Sequence, residues 1–208
     1  MPTQKFSNLN KMKKRIILMA ACDEFLETPY SAIKINQIVE RAEISRASFY
    51  SYFTDKEDLF ECIMKSIWTE FASSIFNALE RENGNYYNAF LNIGNQMLAT
   101  DLRVDYSRLI EKTLSEVEPM ELGAKVSKEL RTSGEFEKFI RRCYHVMDKT
   151  LYPDIDEEIM ANVMEMGMMV LKSALGLRLI GHPEEEELKR SLQAQLLILD
   201  RGLRWTIH

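Results

Sequence analysis

The sequence predicts an all-α protein of about nine helices, with a group of short helices ahead of a larger helical body. Apolar residues recur at the 3.6-residue period along nearly the whole chain, and no segment alternates as a strand does. Only 8 glycines and 5 prolines interrupt the 208 residues, which favours long helices. Hydrophobic residues make up 46% of the chain, enough to bury a sizeable core.

Three helices are predicted near the start of the chain, over about residues 10–27, 37–42 and 45–53. Thr28 should end the first, because a residue that precedes proline is pushed out of the α region. Asn36 and Ser45 are the residue types that cap the amino ends of helices, so we assign them as the N-caps of the second and third.

A fourth helix is predicted to open at the stretch TDKE, which has the pattern of a capping box. The Thr54 hydroxyl can accept from the Glu57 amide while the Glu57 carboxylate accepts from the Thr54 amide. This helix should run to about residue 80. Further helices are expected over about residues 86–100, 106–116, 121–131, after TSGEF, over 156–180, and from Pro183 onward.

Charge is distributed unevenly along the chain. The net charge is −5, yet residues 1–56 carry +3 and residues 57–208 carry −8. Five cations precede the first acid, Asp23. A basic head on an acidic body indicates that only the head meets a polyanion, although a solvated basic segment is an equally plain interpretation.

Several functional classes are disfavoured. No apolar run reaches the roughly 18 residues of a membrane span, and no secretory h-region is present, so we expect a cytoplasmic protein without a membrane partner. The cysteines at 22, 62 and 143 are far apart and suggest buried thiols. Cys143 and His145 are too close to share a helix face, so no metal or other cofactor is expected. No catalytic triad or phosphate loop is present, and we do not expect an enzyme.

Two short helices joined by a tight turn and braced by a preceding helix form a helix-turn-helix, whose second helix enters the major groove of DNA. Phe49 and Phe53 lie four residues apart and should face inward. Arg46 can then pair with guanine and Ala47 can touch a thymine methyl, while nearby hydroxyls and Lys56 meet phosphates. The alternative is that the tyrosines edge a core and Lys56 is a solvated charge.

The stretch INQIVERAEISRASFYSYFTDKEDLF resembles the DNA-binding signature of the TetR family of bacterial transcriptional regulators, over about residues 12–64. The spacing of Phe, Tyr, Phe, Lys and Leu between Phe49 and Leu59 carries the resemblance. It implies a DNA-binding domain over 1–56 and an effector-binding and dimerisation domain over 57–208. It also implies DNA contacts from Asn36, Gln37, Ser45, Arg46, Ala47, Ser48, Tyr50, Tyr52 and Lys56.

Two positions depart from the family pattern. Lys34 and Ile35 stand where the family usually has threonine at the start of the second helix. Glu43 stands in the turn where the family favours glycine. A non-glycine residue with positive φ costs about 1 kcal/mol, so we expect the turn to be either strained or shaped differently. The Glu43 carboxylate would also lie near DNA.

The helix over 156–180 carries two apolar stripes, although one suffices to pack a helix on its own domain. The surplus predicts a homodimer through a four-helix interface, with an intramolecular core as the alternative. The interface residues that we assign are Met160, Met164, Leu171, Leu175, Leu188, Leu192, Leu196 and Leu199.

Aromatic residues and methionines of the body could line a cavity for a small, mostly apolar effector, although such residues more often form plain core. The candidates are Trp68, Phe71, Phe90, Met97, Tyr106, Phe139 and Tyr144. The expected function is therefore a repressor that binds a near-palindromic operator in double-stranded DNA and is released by a ligand. The alternatives are an architectural or cell-cycle DNA-binding protein without a ligand switch, and a helical carrier of apolar ligands.

Overall fold

The computed structural model describes residues 2–99, 109, 116–179 and 184–204. These ranges contain ten α-helices, one 3-10 helix at Tyr30–Ala32 and no β-strand. The first five helices are α1 (Gln4–Ser7), α2 (Lys11–Glu27), α3 (Ile35–Arg41), α4 (Arg46–Tyr52) and α5 (Lys56–Arg81). The others are α6 (Tyr86–Ala99), α7 (Val117–Thr132), α8 (Glu135–Val146), α9 (Glu157–Leu179) and α10 (Glu185–Leu203).

The all-α class is confirmed, and most helices lie where the periodicity predicts them. Helix α1 was not expected from the sequence. Most of the helix predicted over 106–116 lies outside the described residues. Pro183, at which the last helix was predicted to begin, also lies outside them. No described helix has an 18-residue stretch apolar enough to cross a membrane.

The chain divides into two compact units. The first unit comprises Met1–Thr69 and Leu102–Glu129, and the second comprises Glu70–Asp101 and Leu130–His208. The division falls inside α5 and α7 and differs from the predicted boundary after residue 56. The first turns of α5 belong to the first unit because Leu59, Phe60 and Ile63 are buried in its core.

The core of the first unit contains many aromatic rings. Phe25 stacks on Tyr30 with ring centroids 5.8 Å apart, and Phe60 meets both rings edge-on. Phe49 and Phe53 are fully buried, which confirms their predicted inward orientation. Aromatic side chains bury large areas, so these rings, which come from α2, α4, α5 and the segment at Tyr30, stabilise the packing of the unit.

The second unit is built around α6, α9 and α10, which pack against one another. At Gly167 on α9, an added Cβ would lie 2.3 Å from the Tyr86 hydroxyl and 2.5 Å from the Phe90 ring. Only glycine permits this close approach of α9 to α6. The Tyr86 and Phe90 rings lie 4.5 Å apart beside it, so Phe90 fills the core of this unit.

A polar network joins four segments of the second unit. Tyr152 donates its hydroxyl to Asp200 Oδ1 at 2.6 Å and accepts the Tyr86 amide at 3.1 Å. Tyr86 donates its own hydroxyl to the Val163 carbonyl at 3.2 Å. Arg204 pairs with Asp200 at 2.7 Å. Burial, followed by the hydrogen bond to Asp200, raises the pKa of Tyr152.

The two stripes of α9 take different roles. Four of the interface residues assigned from the sequence lie on the inner stripe of α9 and the other four lie on α10. All are buried within the chain apart from Leu199, which is half-buried. The inner stripe therefore belongs to the intramolecular core that the sequence left as the alternative. The exposed apolar side chains of α9 and α10 are instead Ile159, Met166, Met169, Leu177 and Ile198.

Candidate nucleic-acid interface

Helices α3 and α4 are joined by a tight turn that contains Glu43. Glu43 has φ of 51°, in the left-handed region, and this confirms the expected strain at a position without glycine. The Ile44 amide donates to the Val39 carbonyl at 3.0 Å and closes the turn. The turn therefore forms with a glutamate at this position, which costs about 1 kcal/mol of folding free energy.

The amino end of α3 differs from the prediction. Lys34 is the N-cap and has no side-chain capping bond, so the assignment of Asn36 as N-cap was wrong. Asn36 and Gln37 lie inside the first turn of α3, and both side chains are exposed. They are consequently free of a capping role.

Arg41, in the last turn of α3, anchors this helix to α2. Its guanidinium lies 3.2 Å from Glu24 and also pairs with Glu27. Glu24 is only 1% exposed and accepts the Thr28 hydroxyl at 3.0 Å. The hydrogen bond from Arg41 lowers the pKa of the Glu27 carboxyl. A buried carboxylate that is paired in this way fixes the crossing of α3 over α2.

Helix α4 begins as predicted. The Ser45 hydroxyl accepts the Ser48 amide at 3.0 Å, so Ser45 is confirmed as the N-cap. Ser45, Arg46 and Ala47 are exposed, Ser48 is half-buried, and Tyr50 is 47% exposed. Phe49 anchors the opposite face of α4 in the core, so the outward face of α4 presents small and polar side chains.

Arg46 links the outward faces of α3 and α4. It donates to Asn36 Oδ1 at 2.7 Å and to the Tyr50 hydroxyl at 3.2 Å, and its guanidinium lies 5.6 Å from the Tyr50 ring centroid. Three residues that were predicted from the sequence to contact DNA therefore form one exposed cluster.

Two other predicted contacts are placed differently. Tyr52 is buried, with its ring 6.0 Å from the Phe6 ring, and contributes to the core of the first unit. Lys56 is half-buried, donates to the Tyr30 carbonyl at 2.9 Å and lies 4.4 Å from the Tyr30 ring centroid. In this state the Lys56 ammonium is held by the protein itself.

The cap of α5 is shifted from the predicted position. Asp55 Oδ1 accepts the Asp58 amide at 2.7 Å, and Asp58 Oδ2 accepts the Thr54 amide at 3.1 Å. The predicted box between Thr54 and Glu57 was wrong by one residue, because aspartate caps as well as threonine does. Carboxylates at this end also suit the helix dipole.

The first unit includes contacts with a later segment that the sequence did not reveal. Glu116 accepts the Tyr30 amide at 2.8 Å, and Glu129 pairs with Lys65 at 2.8 Å. Lys125 pairs with the nearly buried Glu61. Tyr30 is thereby held through its amide by Glu116 and through its carbonyl by Lys56.

The residues proposed for an effector cavity are divided between the two units. Phe71, Met97 and Tyr144 are half-buried in the second unit, where Phe90 and Phe139 are buried. Trp68 is half-buried and belongs to the first unit, and Tyr106 lies outside the described residues. Across the described ranges, no three His, Cys, Asp or Glu side chains are grouped so as to hold a metal ion.

Residues 17–63 match the family model described as bacterial regulatory proteins, tetR family. No curated protein matches the chain in sequence. A putative TetR-family transcriptional regulator from Syntrophomonas wolfei is 19% identical, with a TM-score of 0.65, over 96% of this chain and 100% of that one. A putative TetR-family transcriptional regulator from Mesorhizobium loti is 18% identical, with a TM-score of 0.63, over 92% of this chain and 96% of that one. The transcriptional regulator FadR from Bacillus subtilis, solved in complex with stearoyl-CoA, is 15% identical with a TM-score of 0.55 over 93% and 99%.

The family match spans most of α2, all of α3 and α4, and the start of α5. The likeness to solved structures extends the agreement in fold to nearly the whole chain. The resemblance noted from the sequence is thus confirmed. Residues 17–63 are therefore similar to the tetR family of bacterial regulatory proteins, and the chain has an all-helical fold like that of solved TetR-family transcriptional regulators.

Proposed function

We propose that the chain is a sequence-specific DNA-binding transcriptional repressor that acts as a homodimer and is released from its operator by a small, mostly apolar ligand. The observation that carries the DNA-binding part is the exposed cluster of Arg46, Asn36 and Tyr50. It lies on two short helices inside the matched family segment.

The outward face of α4 suits the major groove. Arg46 has the planar donors that recognise guanine O6 and N7, and Ala47 is small enough to admit close contact with a thymine methyl. The Ser45 hydroxyl and the Tyr50 hydroxyl supply donors for phosphate oxygens. Lys5, Lys11 and Lys13 are exposed cations on α1 and α2 that can add sequence-independent attraction to the backbone.

Dimerisation is assigned to the exposed stripe of α9 and α10. Ile159, Met166 and Leu177 recur along one face of α9, and Ile198 is the most exposed apolar residue on α10. A large apolar face on a helix is stabilised when another surface covers it. A two-fold dimer carries two α4 helices, which suits the two half-sites of a near-palindrome.

The ligand is assigned to the second unit. Phe71, Met97, Phe139 and Tyr144 supply apolar and aromatic surface there. The likeness in fold to a regulator solved with stearoyl-CoA makes a long-chain acyl-CoA the first probe to use. Such a ligand releases DNA only if it binds the DNA-free conformation more tightly than the DNA-bound one.

Selection of duplexes from a random library by the full chain tests the DNA-binding proposal. We expect enrichment of a near-palindrome, with binding that weakens steeply as salt rises. Stearoyl-CoA should then lower the affinity for the selected duplex. A library that yields no preferred sequence would refute sequence-specific binding, and a selected duplex indifferent to stearoyl-CoA would refute that ligand class.

The dimer interface is tested with two substitutions of the same type. Met166 and Met120 are 45% and 47% exposed, and only Met166 lies on the stripe of α9. Met166→Lys should yield a monomer in analytical ultracentrifugation, whereas Met120→Lys should remain dimeric. Dimers from both variants would exclude this stripe as the interface.

A further inference from the structure

The carboxyl end of α4 is capped by a residue that lies far away in the sequence. Thr3 donates its hydroxyl to the Ser51 carbonyl at 2.6 Å and its amide to the Tyr52 carbonyl at 2.9 Å. The last carbonyls of a helix have no partner within the helix itself. Phe53 at the C-cap is extended, with φ −135° and ψ 146°, so the helix does not end in a left-handed residue. Thr3 takes over the role of that cap.

Helix α1 holds Thr3 in position. Thr3 is the N-cap of α1, and Phe6 on α1 is only 4% exposed. The Phe6 ring lies 4.7 Å from the Phe53 ring and 6.0 Å from the Tyr52 ring. Lys14 on α2 donates to the Ser7 carbonyl at 2.7 Å and ties the other end of α1. We call Thr3–Ser7 the clamp.

We infer that Thr3 and Phe6 are positioning residues for DNA reading, because the clamp fixes the end of α4 and so aims Arg46 and Tyr50. This inference rests on the proposed function. Helix α4 has only seven residues, and isolated helices shorter than about 12 residues are marginal in water. Its direction therefore depends on what holds its two ends. Ser45 holds the first end and the clamp holds the last.

The clamp should matter more for specific than for non-specific binding. Base contacts need α4 at a defined depth and angle, and a helix that is already fixed loses less freedom on binding. Non-specific binding comes mostly from cations near phosphates and tolerates small rotations of α4. Loosening the clamp should thus reduce the preference for the operator while leaving the salt dependence unchanged.

The first arm of the test uses the full chain without DNA. Thr3→Val keeps the shape and the backbone amide but removes the hydroxyl donor, and Thr3→Ser keeps both donors. Hydrogen exchange of the peptide over 45–53 should speed up about fivefold in Thr3→Val, the size of one net hydrogen bond. It should stay at the wild-type rate in Thr3→Ser, and the α5 peptides should not change. Unchanged exchange over 45–53 in Thr3→Val would overturn the role of the Thr3 hydroxyl in the clamp.

The second arm measures binding to a duplex selected by the wild-type chain and to a shuffled duplex of the same composition. Thr3→Val should lose about fivefold on the selected duplex and less than twofold on the shuffled one, with the same salt slope. Lys13→Ala is the contrasting control, since Lys13 is an exposed cation on α2 outside the clamp and its removal should lower the slope. Equal losses on both duplexes would overturn the positioning role.

The two arms keep the inference separate from the proposed function. If the wild-type chain selects no duplex, the proposed function fails, while hydrogen exchange still decides whether the clamp holds α4. Phe6→Leu tests the clamp without changing a hydroxyl group. This variant should also speed up hydrogen exchange over 45–53. Exchange unaltered in both variants would leave the clamp without support and overturn it.

Discussion

Arg46 on α4 donates a hydrogen bond to Asn36 on α3 at 2.7 Å, and this bond joins the exposed faces of the two helices of the helix-turn-helix. Both side chains are exposed, so neither is constrained by the core. The bond pre-orients a guanidinium that has further donors available for a base. In DNA-binding proteins a bidentate arginine is the commonest reader of guanine.

Arg46→Ala should weaken binding to the selected duplex by about 1–3 kcal/mol and relax the preference at one base pair in each half-site. Affinity for a shuffled duplex should fall much less, because phosphate contacts remain. Asn36→Ala is the matched control for the intramolecular bond. Fluorescence anisotropy on both duplexes checks this, and equal losses from Arg46→Ala on the two would refute the base-reading role.

Lys56→Met should destabilise the protein by about 1–2 kcal/mol. The substitution keeps an apolar side chain but removes the hydrogen bond to the Tyr30 carbonyl and the cation over the Tyr30 ring. Lys13→Met is the control, because Lys13 is exposed on α2. Urea unfolding measures both variants. The same small loss in each would show that the Lys56 contacts add nothing to stability.

Glu43→Gly should stabilise the turn by up to about 1 kcal/mol, because Glu43 has φ of 51° and glycine adopts this region without a steric penalty. Binding to any duplex should also strengthen slightly as a carboxylate near the phosphates is removed. Glu43→Asn separates the two effects, since asparagine removes the charge and tolerates positive φ. A lower free energy of unfolding in Glu43→Gly than in the wild type would contradict the assignment of backbone strain to Glu43.

Stability should fall as pH rises above about 10, the pKa of tyrosine in an unfolded chain. Burial raises the pKa values of Tyr86 and Tyr152, so the folded protein keeps protons that the unfolded chain releases. The unfolded state then binds fewer protons, which makes the slope of unfolding free energy against pH negative. The slope between pH 9 and 11 should be shallower in Tyr152→Phe, and an identical slope would contradict this assignment.

Tyr152→Phe should also cost about 1–3 kcal/mol at pH 7. The Tyr152 hydroxyl accepts the Tyr86 amide and donates to Asp200, so the substitution leaves a buried amide without that acceptor. Tyr86→Phe is the control, because it removes a single hydrogen bond of 3.2 Å. Thermal unfolding compares the two. A smaller loss from Tyr152→Phe than from Tyr86→Phe would argue against a network centred on Tyr152.

Sequence periodicity predicted the fold class, and the motif around Phe49 predicted that Phe49 faces inward and Arg46 outward, because both follow from local patterns. The same motif placed Tyr52 on the outer surface, and there the prediction was wrong, because Tyr52 is buried. Helix α1 was not predicted because a helix of four residues is too short to show a helical period of apolar residues. Asp55 and Thr54 are both good capping residues, so the start of α5 could not be assigned by residue type alone. Glu116 and Tyr30 meet across 86 positions, and no local pattern records such a contact.

The choice between the stripes of α9 shows a second limit. Met160 and Ile159 are neighbours in the sequence, and both stripes have helical spacing. Met160 is buried and Ile159 is exposed because the helices that pack against α9 cover only one of its faces. The homodimer interface therefore stays a prediction, and its placement on the exposed stripe of α9 rests on this packing.

Protection of guanine N7 from methylation on the selected duplex tests the central claim most directly, because N7 is exposed in the major groove. The wild-type chain should protect guanines in two half-sites about one helical turn apart, and Arg46→Ala should lose protection at one guanine in each. If no guanine is protected, or if the pattern is the same without the Arg46 side chain, then α4 does not read the groove as we describe.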